Sequence, residues 1–322
     1  MPVSPEPLSI PPFVILLGPT AVGKTRVALH LAGAVGGEII GADSLQVFRL
    51  MDIGTAKPTP EERAMVPHHL IDVVSPDEPF HAGRYRKEAL KALAGISGRG
   101  KRALVVGGTG LYIRALLKGL IPCPDVPSTL RAHLTREMSN LGEKALYERL
   151  REFDPVYART IHPNDRYRIL RALEIITLTG RPLSLQHKEH KALNIKLRAL
   201  KIGLYLPREE LYAKIDMRCE QMIEQGLLEE VTHIFSLGYA KDLKPMQALG
   251  YKQMTAVLSG EMDPDRALSN MQQETRRYAK RQMTWFRKDP EIHWFLPDEE
   301  KNIYNLVKEF YNNPDSEIGG ER

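Results

Sequence analysis

Phe13-Val14-Ile15-Leu16-Leu17-Gly18-Pro19-Thr20-Ala21-Val22-Gly23-Lys24-Thr25 is the stretch on which the fold turns. Its first five residues are a short, continuous apolar run that stops at Gly18-Pro19, the mark of a buried strand. Residues 24–34 then take up helical spacing. Between the two, residues 18–25 fit G-x-x-x-x-G-K-[ST], in the strand-to-helix setting that makes this pattern a phosphate cradle. Glycines let backbone N–H groups close round an anion at a helix start, Lys24 adds a point charge, and the Thr25 hydroxyl is a candidate magnesium ligand. The cradle comprises Gly18, Pro19, Thr20, Ala21, Val22, Gly23, Lys24 and Thr25. It identifies a di- or triphosphate, nucleotides included, and not a reaction.

Working outward, strands are expected at 38–42, 70–74 and 103–106, with helices at 83–96 and 111–117. This alternation predicts an α/β fold, a P-loop NTPase-like parallel sheet with flanking helices. In such sheets ligands sit beyond the carboxyl ends of the strands, so residues 18–25, Asp43 and 107–110 should meet in one crevice. From Pro122 the pattern changes. Pro122, Pro124 and Pro127 mark a boundary, and the following residues have helical periodicity, as in 164–180 with Gly180 as the stop. The expected organisation is a first core segment at 1–121, a mainly helical insertion domain at 122–198, core completion with basic helices at 199–296, and a flexible acidic tail at 297–322. Strands are expected at 200–206 and 292–295, with helices from 209 to 288.

The 322 residues are 43% apolar and 26% charged, ordinary for a globular protein. A net charge of +5 permits a polyanionic partner without requiring one. Two cysteines, Cys123 and Cys219, are too few for a disulfide framework or a four-cysteine zinc site, and a buried or idle thiol outweighs a catalytic one. The proline-rich opening, residues 1–12, has no signal-peptide pattern, and no apolar run approaches the roughly 18 residues that span a bilayer. These features predict a cytoplasmic protein without membrane contact, expected to act as a monomer.

The fourth strand ends in Val105-Val106-Gly107-Gly108, without the carboxylate that helps hold metal in nucleotide hydrolysis or phosphoryl transfer. No N-K-x-D guanine signature occurs. Asp43, at the same sheet edge as the cradle, has three readings by position: metal ligand, general base, or cap of the next helix. Its neighbours add information. Behind the cradle come, in order, Asp43-Ser44-Leu45-Gln46-Val47-Phe48, Ile53-Gly54-Thr55-Ala56-Lys57-Pro58, His68-His69-Leu70-Ile71-Asp72 and Gly107-Gly108-Thr109-Gly110-Leu111-Tyr112. Further on stand His162-Pro163-Asn164-Asp165, Arg171-Ala172-Leu173-Glu174, Leu249-Gly250-Tyr251-Lys252-Gln253 and Ala279-Lys280-Arg281-Gln282 with Thr284-Trp285-Phe286-Arg287. Together these blocks resemble the tRNA dimethylallyltransferase (IPP transferase) family over nearly the whole chain. Phe48 departs from the family's usual tyrosine, Val22 fills a variable loop position, and two distant cysteines cannot form the zinc finger of eukaryotic members. The compact bacterial type fits best.

The resemblance implies transfer of a dimethylallyl group from dimethylallyl diphosphate to N6 of the adenosine 3′ of a tRNA anticodon, in tRNAs reading codons that begin with U. It implies Mg2+ as cofactor with Thr25 as ligand, Asp43 as the base, and Lys24, Thr20 and Arg218 on the diphosphate. Without it, Arg218 reads as a surface arginine. The resemblance places the anticodon stem-loop against Asp43, Ser44, Leu45, Gln46, Thr109 and Arg131. It adds Tyr167, Arg168, Ile169, Leu170 and Arg171, then Gln247, Ala248, Leu249, Gly250, Tyr251 and Lys252. It ends with Lys280, Arg281, Gln282, Met283, Thr284, Trp285, Phe286 and Arg287. On a helical projection Arg276, Arg277, Lys280, Arg281, Arg287 and Lys288 fall within an arc of roughly 140°, with Tyr278, Trp285 and Phe286 opposite. That is either a solvated basic face or a phosphate-binding one. Three other readings stay open: a P-loop small-molecule kinase, a prenyltransferase of free adenine nucleotides, and an RNA-binding ATPase.

Overall fold

In the computed structural model, which describes residues 10–121, 125–193 and 197–313, Phe13–Leu17 is strand β1, buried at every position. A strand apolar on both faces needs cover on both sides, which places it inside a sheet and not at its edge. The other strands are β2 (Gly37–Gly41), β3 (His68–His69), β4 (Arg102–Gly107), β5 (Ala199–Leu204) and β6 (Ile292–Phe295). All pair in parallel in the order β3-β2-β4-β1-β5-β6. The register sets Leu16 opposite Val106 on one side and Ile202 on the other, so the cradle starts level with the ends of its neighbours.

Helices α1 (Lys24–Val35), α2 (Pro60–Met65), α3 (Ala82–Gly98) and α4 (Gly110–Lys118) belong to the first half. The middle of the chain forms α5 (Ser128–Phe153), α6 (Pro155–Ala158), α7 (Arg166–Thr179) and α8 (Leu183–Leu193). The last part supplies α9 (Arg208–Glu224), α10 (Leu227–Ser236), α11 (Tyr251–Leu258), α12 (Pro264–Phe286) and α13 (Glu300–Asn312). Two compact units result: Met1–Leu117 with Leu197–Arg322, and Lys118–Lys196. In the first, one apolar cluster lies on the α1, α9 and α12 side of the sheet, around Val14, Leu16 and Ile202. A second, around Phe13, Ile15, Tyr85 and Ile96, lies on the α3 and α4 side. The smaller unit has its own core of Leu134, Met138, Leu150, Ile169 and Leu173, and α5 kinks at Gly142 (φ 83°). No described helix is long and apolar enough to cross a membrane.

Two expectations need correction. Residues 70–74 do not form the third strand, because Leu70 (φ 62°) and Asp72 (φ 56°) are left-handed and bend the chain. Asp72 is held in that bend by Lys57 Nζ at 2.6 Å and Arg63 at 2.6 Å, and the pairing moves to His68–His69. The tail expected to be flexible over 297–322 is instead helical at Glu300–Asn312, where Ile303, Val307 and Phe310 bury one face. The Arg198 guanidinium lies 4.7 Å from the Phe310 ring centre. The acidic residues at its start mask this i, i+4, i+7 spacing when composition alone is weighed. Residues 1–9, Pro122 and Pro124 of the boundary, Cys123, and 314–322 lie outside the described residues.

Phe310→Ala should therefore lower unfolding stability by about 3 to 5 kcal/mol, as for other buried phenylalanines. Urea unfolding of the variant against the parent measures it, and a change below about 1 kcal/mol would mean that α13 is not docked.

Candidate active site

The residues after β1 are shaped for an anion. Gly18 (φ 152°) runs so close to β5 that a Cβ would lie 2.6 Å from the Leu204 carbonyl oxygen. Ala21 (φ 63°) and Gly23 (φ 96°) are left-handed, and Gly23 caps α1 with no side-chain hydrogen bond. The first N–H groups of α1 are thus left with their positive ends toward the loop. Lys24 Nζ donates to the Gly18 and Pro19 carbonyls at 3.1 and 2.7 Å. Burial pushes its pKa down to about 7; Arg218 acts in the same direction and Asp43 against it. The Thr25 hydroxyl, in the first turn of α1, makes no hydrogen bond among the described residues.

Beside the loop is a cavity of about 500 Å³. Its walls include Thr20 and Ala21 from the loop, Asp43, Ser44 and Leu45 after β2, and Ile215, Arg218, Cys219 and Met222 from α9. The remainder comes from Gly54 and Thr55, from Gln247, Ala248, Leu249 and Lys252, and from Met271, Glu274, Thr275, Arg277, Tyr278 and Arg281 of α12. The spacings 215, 218, 219, 222 and 271, 274, 275, 278 are single helix faces, so two amphipathic helices close the space with one face each. An Arg276–Asp216 ion pair at 2.6 Å and a Gln272–Glu220 hydrogen bond at 3.1 Å join them.

Asp43 divides its two oxygens. Oδ1 accepts the N–H groups of Leu45 (2.8 Å) and Gln46 (3.4 Å), fixing the carboxylate in a turn. Oδ2 accepts no hydrogen bond among the described residues. The helix-capping reading does not hold, because the next helix, α2, is capped by Thr59; Asp43 instead fixes a turn with one oxygen, which is compatible with a reactive role for the other. Arg218 is half-buried on the cavity wall, with no hydrogen bond or ion pair among the described residues, so the reading of a surface arginine does not hold. Burial lowers its pKa and Asp43 opposes the shift. Burial raises the pKa of the adjacent Cys219 thiol to about 11, which keeps it protonated as part of the wall. Tyr278, its pKa pushed up to about 12 by burial and Asp43, also faces the cavity.

Other expected residues are placed differently. Gln46 spends its amide N–H groups on the Thr55 and Ala56 carbonyls at 3.1 Å. Thr109 Oγ1 accepts the Ser44 N–H at 3.0 Å. Tyr251, Gln282 and Phe286, and Ile169 in the smaller unit, are buried, so their side chains present nothing to an RNA. Trp285 does not turn inward with Phe286; it is 40% exposed and lies over Gly110, where a Cβ would come within 2.5 Å of the indole. Lys280, Arg281 and Arg287 are exposed, and Met283 and Thr284 lie beside them. In the smaller unit Tyr167 is 78% exposed. Arg131 and Arg171 there share the buried Glu174 at 2.9 Å each, Arg168 pairs with Asp165 at 3.3 Å, and Leu170 is half-buried.

Glu230 escaped the sequence reading, since an acidic residue on an amphipathic helix carries no local signal. Its carboxylate accepts the N–H groups of Asp52 (2.9 Å), Ile53 (2.7 Å) and Gly54 (3.2 Å), and the Tyr251 hydroxyl at 2.6 Å. This anchors the 52–57 loop against the cavity. Glu274, also missed, forms an ion pair with Lys252 at the wall.

Fold and site define a P-loop α/β protein whose anion cradle lies beside a carboxylate-bearing cavity. A family description reading IPP transferase fits residues 46–289, and one reading Isopentenyl transferase fits residues 12–73. A tRNA dimethylallyltransferase of Syntrophobacter fumaroxidans is 52% identical over 301 residues, covering 92% of this chain and 87% of its own. The tRNA dimethylallyltransferase 2 of Syntrophus aciditrophicus is 49% identical over 300 residues, covering 93% and 96%. The crystal structure of the tRNA isopentenylpyrophosphate transferase of Bacillus halodurans matches with TM-score 0.70 and 37% identity, over 95% of this chain and 98% of that one. A eukaryotic dimethylallyltransferase acting on tRNA matches with TM-score 0.80 and 27% identity, over 97% and 82%. The chain belongs to the IPP transferase family.

Lys24 makes anion binding pH-dependent. With the cradle empty it loses its proton near pH 7, whereas an adjacent polyanion favours the ammonium. Above pH 7 binding must take up a proton at Lys24, so affinity should fall with rising pH, by at most about tenfold per unit. Calorimetry of pyrophosphate binding at pH 8 in buffers of different ionisation enthalpy should show more proton uptake in the parent than in Lys24→Met. Equal uptake in both would contradict the assignment.

Proposed function

We propose that this chain transfers the dimethylallyl group of dimethylallyl diphosphate to an adenosine of tRNA, at N6 of the residue 3′ of the anticodon in tRNAs reading codons that begin with U. Membership of the family and the names of its tRNA-modifying relatives support the activity. The observation that carries the chemistry is that Thr20 and Ala21, in the loop leading to the uncapped start of α1, share one cavity with Asp43 and Arg218. The atom and the codon class rest on the resemblance.

The donor's diphosphate fits the N–H groups at the start of α1, with Lys24, Arg218 and Thr20 beside it. As the allylic C–O bond breaks, its electron pair stays on the diphosphate, where fixed donors and cations stabilise the growing charge. The exocyclic amine forms the new N–C bond and gives up a proton. Asp43 accepts it: Oδ1 is held by two backbone N–H groups while Oδ2 is left for the substrate. Apolar wall residues Ile215, Met222, Leu249 and Met271 suit the five carbons and help keep water from the allylic centre.

Magnesium fits this site through Thr25. No group of three or more His, Cys, Asp or Glu able to hold a metal occurs among the described residues. Magnesium commonly takes one or two protein ligands plus phosphate oxygens, and the unpaired Thr25 hydroxyl would supply one. When bound, the ion would neutralise charge on the leaving diphosphate. Arg277, Lys280, Arg281 and Arg287 at the end of α12, and Arg166, Arg168 and Arg171 on α7, would meet RNA phosphates. Exposed Tyr167 would lie among them. The target adenine must leave its stack to reach Asp43, with Ser44 and Leu45 alongside.

The test is incubation with dimethylallyl diphosphate, magnesium and unmodified tRNA, followed by nucleoside mass analysis. One prenyl mass should appear on adenosine, and Asp43→Ala should slow its appearance by about 10²- to 10⁴-fold. Prenylation of AMP but not tRNA would reassign the substrate, and consumption of ATP with no prenyl transfer would reject the reading.

A further inference from the structure

Gln282 is 7% exposed, and both ends of its carboxamide are used inside the protein. Oε1 accepts the Thr20 N–H at 2.9 Å, and Nε2 donates to the Gly108 carbonyl at 2.9 Å. These groups belong to the loops after β1 and β4, past the last paired residues of either strand. The second loop in turn holds the segment after β2. Thr109 N donates to the Ala42 carbonyl at 3.1 Å, and Ser44 N donates to Thr109 Oγ1 at 3.0 Å. Asp43 lies between those two anchors. One side chain from α12 thus closes the frame between anion cradle and carboxylate.

We propose that Gln282 is a positioning residue for prenyl transfer: it sets the spacing between the cradle and Asp43 without touching either substrate. This deepens the function proposed above and rests on it. The position calls for an amide, because one planar group must accept from an N–H and donate to a carbonyl. Glutamate has the same shape and keeps the Thr20 contact, but turns a lone pair toward the Gly108 oxygen. Methionine fills the space and leaves both backbone groups unpaired. Gly108 has no room for a side chain, since a Cβ would collide with the Gln282 carboxamide.

Gln282 is absent from the cavity wall, so its loss acts through geometry. Reacting atoms must approach to roughly 3 to 3.5 Å, and a misplacement of about 1 Å can cost about 10²-fold in rate. Thr20 apart, the anion-binding part of the loop has other supports: Gly18 packs on the Leu204 carbonyl and Lys24 holds the Gly18 and Pro19 carbonyls. The defect should therefore fall on turnover and spare donor binding.

Gln282→Glu, Gln282→Met and Gly108→Ala, the last displacing the carboxamide from the other side, test this together. In all three kcat should fall roughly 30- to 100-fold, while the donor KM and the pyrophosphate dissociation constant stay within about threefold. Amide exchange at Thr20, followed by NMR, should speed up about tenfold or more in Gln282→Met and stay slow in Gln282→Glu. A purely structural residue would lose anion affinity in step with kcat. That result overturns the proposal, as does a kcat within about threefold of the parent in the variants that fold. If the parent itself transfers no prenyl group, the proposed function fails. The exchange measurement then judges the clamp alone, and unchanged Thr20 exchange in Gln282→Met rejects it.

Discussion

The first N–H groups of α1 have no carbonyl to bond, and Gly23 in the left-handed region caps the helix without a side chain. That unpaired positive end is the constraint round which the site is arranged. It needs an anion, and the loop that exposes it needs glycine where a Cβ would strike β5. Because β2, β4 and β1 are adjacent and parallel, their loops emerge on one edge, and Asp43 and Gly107–Gly110 are brought to the cradle by topology alone. The sheet sets this proximity to within a few ångströms, and side chains set the rest.

Charge explains the character of the cavity. Lys24 and Arg218 are two cations in partial burial, answered by the single carboxylate of Asp43, and burial lowers the pKa of both. Without a ligand such an arrangement costs stability; with a polyanion it becomes favourable, the usual trade at sites built for charge that arrives with the substrate. The surrounding anionic side chains are committed elsewhere. Glu230 holds the backbone of the 52–57 loop, Asp72 and Asp52 hold the buried Lys57, and Glu274 pairs with Lys252. Each of these carboxylates is engaged by its own partners.

Helix α12 serves two surfaces. Its inner face supplies Tyr278 and Gln282 and covers the core with Ala279 and Phe286, while Arg277, Lys280 and Arg281 stay exposed. A helical projection finds the basic arc but not the division of labour on the other side, where Phe286 is core, Tyr278 wall and Trp285 half outside. Residues that share a face on a wheel separate once neighbours differ along the helix.

Local patterns sufficed for most of the elements. The strand–loop–helix at Phe13–Leu17 and Lys24–Val35 was legible because a buried strand, a glycine loop and a helix each leave a short-range signature. The C-terminal strand Ile292–Phe295 and the Gly180 helix stop were legible for the same reason. Helix α13 was not, since its apolar stripe is interrupted by charge, nor was the bend at Leu70 and Asp72, which depends on Lys57 and Arg63 from another segment. The sequence by itself determined the chemistry available: an anion cradle, a carboxylate at the same sheet edge, and cations in two regions. Only the tertiary structure decided which groups face each other. That Arg218 reaches the cavity, that Glu230 grips a distant loop, and that Gln282 spans Thr20 and Gly108 are long-range facts. They arise from packing between segments far apart in the chain, and a linear pattern carries no record of them.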